Sequence, residues 1–377
     1  MQTFVSRHIP ELDGLRGIAI LSVIVHHQLI PFSLSGGFLG VDLFFVLSGF
    51  LITGLLLAEF ENTLTVSLRK FYMRRILRLG PALFLYLIAC LLVTYYTGLI
   101  NLTREIKLIG IALAYSTNWR LAFGWDLSLD PTAIIWSLSI EEQFYLVWPL
   151  LFFACLALKI RRSFIAMALI VVTAAIVAHR LLLLSAGATL TRLYYGTDTR
   201  ADALLVGCLL ALLPAMARGT RTRRWLNLGA IVSGVAFISL LATANFTDQF
   251  LYRGGYTLVA LLAGIVILAA SNSPPWIIAA PLRWPVLVWF GKISYGLYLW
   301  HWLVVRSTSF YYLGYWEPWA KLALSVGIAS ASFYLVEEPF NRLKRRFANK
   351  ASGVQAKLGV QNLEPHNSPS VVGAHAG

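Results

Sequence analysis

The chain has 377 residues, of which 58% are hydrophobic and only 13% charged, with a formal net charge of +14. A soluble domain covers itself with roughly a quarter charged residues, so a large water-soluble core is excluded. The basic excess lies in short clusters between apolar runs rather than along one face, which argues against a nucleic-acid partner.

Membrane-crossing helices need about 20 mostly apolar residues. Ten segments qualify: 15–34, 38–58, 79–98, 134–158, 163–183, 200–217, 226–244, 255–271, 285–305 and 319–336. The fold class is therefore all-α, a polytopic membrane protein of about ten helices. The first segment does not read as a signal peptide. Glu11, Asp13 and Arg16 precede a short apolar stretch, His26, His27 and Gln28 interrupt it, and no small-residue cleavage site follows. Segment 107–118 is apolar but short, as expected of a re-entrant or interfacial piece.

Every second connection is basic. Arg69, Lys70, Arg74, Arg75 and Arg78 follow the second span, Lys159, Arg161 and Arg162 the fourth, and Arg218, Arg221, Arg223 and Arg224 the sixth. Arg342, Lys344, Arg345 and Arg346 follow the last. By the positive-inside rule these connections and both termini are cytoplasmic, which requires an even number of spans. Residues 1–346 form the expected transmembrane domain, and 347–377, polar and small, a disordered cytoplasmic tail. The cysteines Cys90, Cys155 and Cys208 sit singly in apolar runs with neither disulfide nor metal spacing, so no metal site is expected.

Ionisable residues inside spans are costly and point to function. Arg16 and His27 are eleven positions apart in the first span. They fall on one helix face, about 16 Å apart along the axis. A histidine there can take and return a proton near neutral pH, and an arginine can bind phosphate. The alternative is a lipid-headgroup anchor and a histidine that packs against a neighbouring helix. His26 points away and is assigned a structural role. Gly36 and Gly40 permit close helix approach. Asp42 either orients a histidine, holds a substrate hydroxyl or faces water. Arg74, Arg75 and Arg78 make a phosphate-sized basic patch, or a headgroup anchor.

Glu141 and Glu142 enter an apolar run beside Ser137, Ser139 and Gln143 and are expected to face a polar cavity that opens outward. Asp198 and Asp202 share a helix face at i,i+4, and Arg200 can pair with acids elsewhere. Ser294, Tyr298 and His301 form a polar stripe in the ninth span.

These pieces form an ordered set. Leu12-Asp13-Gly14-Leu15-Arg16-Gly17 with His27, residues 40–52, Arg75 with Arg78, residues 136–145, 198–202 and 293–301, and Glu337-Glu338-Pro339-Phe340 follow one another along nearly the whole membrane portion. Together they resemble the membrane-bound acyltransferase 3 family, the O-acyltransferases of bacterial polysaccharides, lipopolysaccharides and related glycans.

The resemblance implies ten core helices in the bacterial inner membrane. It implies transfer of an acyl group, usually acetyl, from acyl-CoA on the cytoplasmic side to a glycan hydroxyl on the outer side, with no tightly bound cofactor. It places Arg16, His27 and Glu141 in catalysis, and Arg75 and Arg78, with Arg74, on the CoA phosphates. Asp42, Glu142, Asp198, Arg200, Asp202, Tyr298 and His301 are the expected acceptor contacts. Some relatives append an SGNH-type hydrolase-like domain, and none is expected here. A secondary transporter or flippase is the competing class, since intramembrane charges and glycine-rich segments suit it too.

Overall fold

A computed structural model of the chain describes residues 8–28, 34–98, 101–125, 130–213, 220–272, 274–307 and 311–343. The described residues are helical, with no strand. In chain order the helices are α1 (Pro10–Gln28), α2 (Gly40–Thr63), α3 (Leu68–Thr97), α4 (Leu102–Leu113), α5 (Thr117–Ala122), α6 (Trp136–Ala157), α7 (Arg162–Ser185) and α8 (Leu190–Tyr195). They continue with α9 (Thr197–Arg200), α10 (Asp202–Leu212), α11 (Thr220–Thr243), α12 (Tyr256–Ser271), α13 (Trp276–Leu282), α14 (Pro285–Ser307) and α15 (Glu317–Ser332).

Seven helical stretches among the described residues are long and apolar enough to cross a membrane. The other three expected spans correspond to α1, α10 and α14. Helix α10 has only 11 residues. Helices α1 and α14 carry buried polar groups, among them Asp13, Ser22, Ser294 and His301, that face other helices rather than lipid. The expected tail, both chain termini and Arg218 lie outside the described residues. Helix α4 spans 12 residues, about 18 Å, too short for a hydrocarbon core of about 30 Å.

One boundary differs from expectation. The basic residues 69–78 are not a loop. Helix α3 starts at Leu68 and runs 30 residues, about 45 Å. The Ser67 hydroxyl caps it by accepting the Lys70 amide, and arginine and lysine are good helix formers. Arg74, Arg75 and Arg78 are thus fixed on a rigid rod.

The centre of the fold is α1 held between α14 and α2, with α2 packed in turn on α10 and α12. Within lipid no hydrophobic force drives helices together, so close packing must do so. A Cβ at Gly291 of α14 would fall inside the van der Waals sphere of the Asp13 carbonyl oxygen, and one at Gly49 of α2 inside that of Leu204. Both oxygens are backbone atoms that cannot swing aside. Gly291→Ala and Gly49→Ala should each destabilise by about 1–3 kcal/mol. Thermal unfolding in one detergent reads this, with Gly110→Ala, where a Cβ meets nothing within 4 Å, as the control.

Glu105 on α4 is fully buried, and among the described residues neither carboxylate oxygen has a hydrogen-bond partner. Burial, and then the Asp130 carboxylate, push its carboxyl up from 4.5 to about 7. A folded-state value above the unfolded one means that the folded state holds its proton longer. Stability is therefore lost as pH rises from the unfolded value through the folded one. Glu105→Gln should stabilise the protein by about 2 kcal/mol at pH 8 and by little at pH 4.5. Equal unfolding temperatures for the two proteins at pH 8 would contradict this.

Candidate active site

A cavity of about 820 Å³ opens among α1, α2, α3, α6 and α14. Arg16, Arg74, Arg75, Arg78, Glu141, Ser48, Ser137, Ser294 and Tyr298 all line it, so the basic patch and the Glu141 carboxylate face the same space. Of the two glutamates expected to face a polar cavity, Glu141 lines this one and Glu142 does not. Glu141 accepts the Ser48 hydroxyl at 2.7 Å. Glu142 is not among the lining residues and accepts Arg75 Nε at 2.9 Å.

The four arginines are not equivalent. Arg74 pairs with Glu59 at 3.3 Å. Arg75 is held by Glu142 and lies over the Tyr145 ring, 3.1 Å from its centroid. Arg16 donates to Asp13 at 3.1 Å. Among the described residues Arg78 makes no hydrogen bond or ion pair, although it lines the cavity. An unpaired guanidinium facing a cavity is suited to an anion.

The Ser137 and Tyr298 hydroxyls, both in the cavity lining, meet at 2.6 Å. The Tyr298 ring centroid lies 5.9 Å from that of His301, and His301 meets His27, whose Nδ1 is 3.0 Å from His301 Nε2. The tautomers follow from the next bond. His301 Nδ1 lies 2.9 Å from the Leu297 carbonyl oxygen, which only accepts, so Nδ1 carries the hydrogen. In the neutral ring Nε2 then accepts from His27 Nδ1–H, and His27 Nε2 is left with a free lone pair. His27 does not line the cavity; Tyr298 and His301 stand between. Trp302 packs edge-on to His27 at 5.1 Å and donates to the Asp130 carbonyl at 3.0 Å.

The remaining expected acceptor contacts do not come together there. Asp42 is fully buried and accepts Arg200 Nη2 at 2.9 Å, so it neither orients a histidine nor faces water. Arg200 lies over the Tyr256 ring at 3.7 Å. Asp202 pairs with Arg180 at 3.0 Å, both fully buried. Asp198 turns away from Asp202 because α9 ends at Arg200 and α10 begins at Asp202. It accepts from both Arg192 terminal nitrogens, at 2.9 and 2.5 Å, and lies 2.9 Å from His179 Nε2. His26 lies 3.2 Å from the Leu34 carbonyl, a structural contact.

Sequence reasoning passed over Arg180, Ser137 with Tyr298 as a pair, and Trp302. A single arginine inside the apolar run of α7 was the available signal for the first. The others are contacts between distant helices that no periodicity carries.

The bundle and its cavity define a polytopic helical membrane protein with a basic, hydroxyl-lined pocket leading toward a histidine pair. The acyltransferase domain family matches residues 9–337, and the chain belongs to that family. It is 34% identical over 373 residues to the peptidoglycan O-acetyltransferase OatA of Listeria monocytogenes, covering 93% of this chain and 58% of that protein. It is 36% identical over 353 residues to YrhL of Bacillus subtilis, named as a candidate peptidoglycan O-acetyltransferase, covering 88% of this chain and 55% of that one. The chain thus spans a little over half the length of these curated relatives. No solved structure matches it. Among the described residues no cluster of three or more histidine, cysteine or acidic side chains is placed to hold a metal.

Proposed function

We propose that this chain is a membrane O-acyltransferase that moves an acetyl group from acetyl-CoA to a hydroxyl of a cell-surface glycan, peptidoglycan being the first candidate. The observation that carries the reading is one cavity lined together by the unpaired Arg78, the Arg16–Asp13 pair and the Ser137–Tyr298 hydroxyls. CoA phosphates would lie against Arg78 and Arg16. The pantetheine arm would run inward past Ser48 and Glu141. The thioester would pass Tyr298 to reach His27.

His27 Nε2 would take the proton of the acceptor hydroxyl as its oxygen attacks the thioester carbonyl. The C–S bond breaks, the acyl group ends on the acceptor oxygen, and the thiolate leaves with a proton as free CoA. His301 would hold His27 in the productive tautomer and share the positive charge that develops. Attack by His27 itself, through an acyl-histidine, is the variant. The names of the relatives support a cell-wall glycan as acceptor.

The test is thiol release from acetyl-CoA by the full chain in detergent, with and without a cell-envelope glycan extract. Release that requires the extract is the expected result. No release from folded protein across several acyl-CoAs would withdraw the proposal.

A further inference from the structure

The connections that the positive-inside rule leaves outside carry an aromatic ladder that the catalytic reading does not use. The Trp119 and Phe123 rings lie 5.9 Å apart at 22° to each other, and Phe123 and Trp125 5.5 Å apart at 28°. Phe123 is 55% and Trp125 63% exposed. The Arg192 guanidinium lies over Trp119 at 5.4 Å and over Phe123 at 5.7 Å. Its partner Asp198, and His179 beyond it, complete a polar rim.

We infer that Trp119, Phe123 and Trp125, rimmed by Arg192, Asp198 and His179, form a docking platform for the acceptor glycan strand. This rests on the acyltransferase reading above.

Three observations support it. The first is chemical fit. A pyranose ring presents a face of C–H bonds that packs on an aromatic ring and an edge of hydroxyls that needs hydrogen bonds. The ladder supplies the first surface and the rim the second. An ionised carboxylate has about four acceptor positions. Arg192 takes two on Asp198 and His179 one, which leaves capacity for a sugar hydroxyl.

The second is what a lipid-facing belt would look like. Belt aromatics stand singly with their polar tips in the interface. Here the rings are stacked against a charged cluster, and turning that cluster to acyl chains would be costly.

The third is rigidity and placement. Arg120, on α5 between the stacked rings, is buried in an ion pair with Asp130 and donates to the Trp125 carbonyl. Asn118, next to Trp119, donates to the Tyr195 carbonyl at 3.1 Å. The Asp130 carbonyl holds Trp302 against His27. The platform is therefore pre-ordered and mechanically joined to the histidine pair.

The experiment is a titration of the full chain in nanodiscs with a β-1,4-linked N-acetylglucosamine tetramer, read by tryptophan fluorescence and calorimetry. Trp125→Ala, Phe123→Ala and Asp198→Asn are compared with wild type. Saturable binding that weakens at least tenfold in Trp125→Ala and Phe123→Ala, and measurably in Asp198→Asn, at unchanged unfolding temperature, is expected. In turnover the same variants should raise KM for the tetramer and leave kcat unaltered.

Equal binding by wild type and Trp125→Ala overturns the platform. So does a Trp125-dependent emission that brominated phospholipid quenches and the tetramer does not, which would make the ladder a lipid belt. Thioester cleavage is read separately. Its absence removes the acyltransferase reading, while the titration alone decides the platform.

Discussion

His27→Ala should abolish acyl transfer, by a factor of roughly 10² to 10⁴ if His27 acts as general base, and leave the protein folded in the membrane. The side chain is half-buried on α1, and its removal leaves His301 Nε2 without a donor but breaks no ion pair. The loss should therefore appear in turnover and not in unfolding temperature. His301→Ala should cost less, because His27 would keep its lone pair and lose only the bond that fixes its tautomer. Arg78→Ala should instead raise KM for acetyl-CoA by about tenfold or more, the effect of losing one charge-assisted contact. Arg75→Ala is a different experiment, since it also frees Glu142 and uncovers Tyr145. Thiol release over a range of acetyl-CoA concentrations separates these cases. Near-wild-type turnover in His27→Ala would end its assignment.

Much of this was legible in the sequence because lipid makes the rules strict. Apolar runs of about 20 residues located the helices. The eleven-residue spacing of Arg16 and His27 placed them on one face of α1, and the stripe of Ser294, Tyr298 and His301 placed its members on one face of α14. What could not be read was which helix each polar face meets. Glu141 and Glu142 are adjacent, yet one lines the cavity and the other closes on Arg75. Asp198 and Asp202 obey i,i+4 spacing, yet a break between α9 and α10 sends one to the surface and buries the other. Arg69 to Arg78 read as a loop because charge was taken as an end to the span, whereas the helix extends beyond it. Partner identity is a tertiary quantity, and periodicity is silent on it.

The buried pair Asp42–Arg200 shows what that difference means for a mutation. As a substrate contact, Asp42→Asn would lower turnover and leave unfolding unchanged. In the structure both side chains are fully buried, and the ion pair is flanked by the Tyr256 and Tyr194 rings. Removing one partner strands a guanidinium in a low-dielectric interior, which costs about 3–5 kcal/mol. Asp42→Asn and Arg200→Met should each lower the unfolding temperature sharply. Replacing both members of such a pair by apolar residues of similar volume is often neutral. With Asp42→Leu as the matching single variant, the double variant Asp42→Leu/Arg200→Met should therefore recover much of the loss, and the cycle over Asp42→Leu, Arg200→Met and the double should give a coupling of opposite sign to the single costs. Wild-type unfolding with lost turnover in Asp42→Asn would return Asp42 to the acceptor site. Full additivity of the two single losses would show that the pair does not act as a unit. The expected result makes α2 and α9 one electrostatically locked body, against which the helices bearing Arg78 and His27 are held in place.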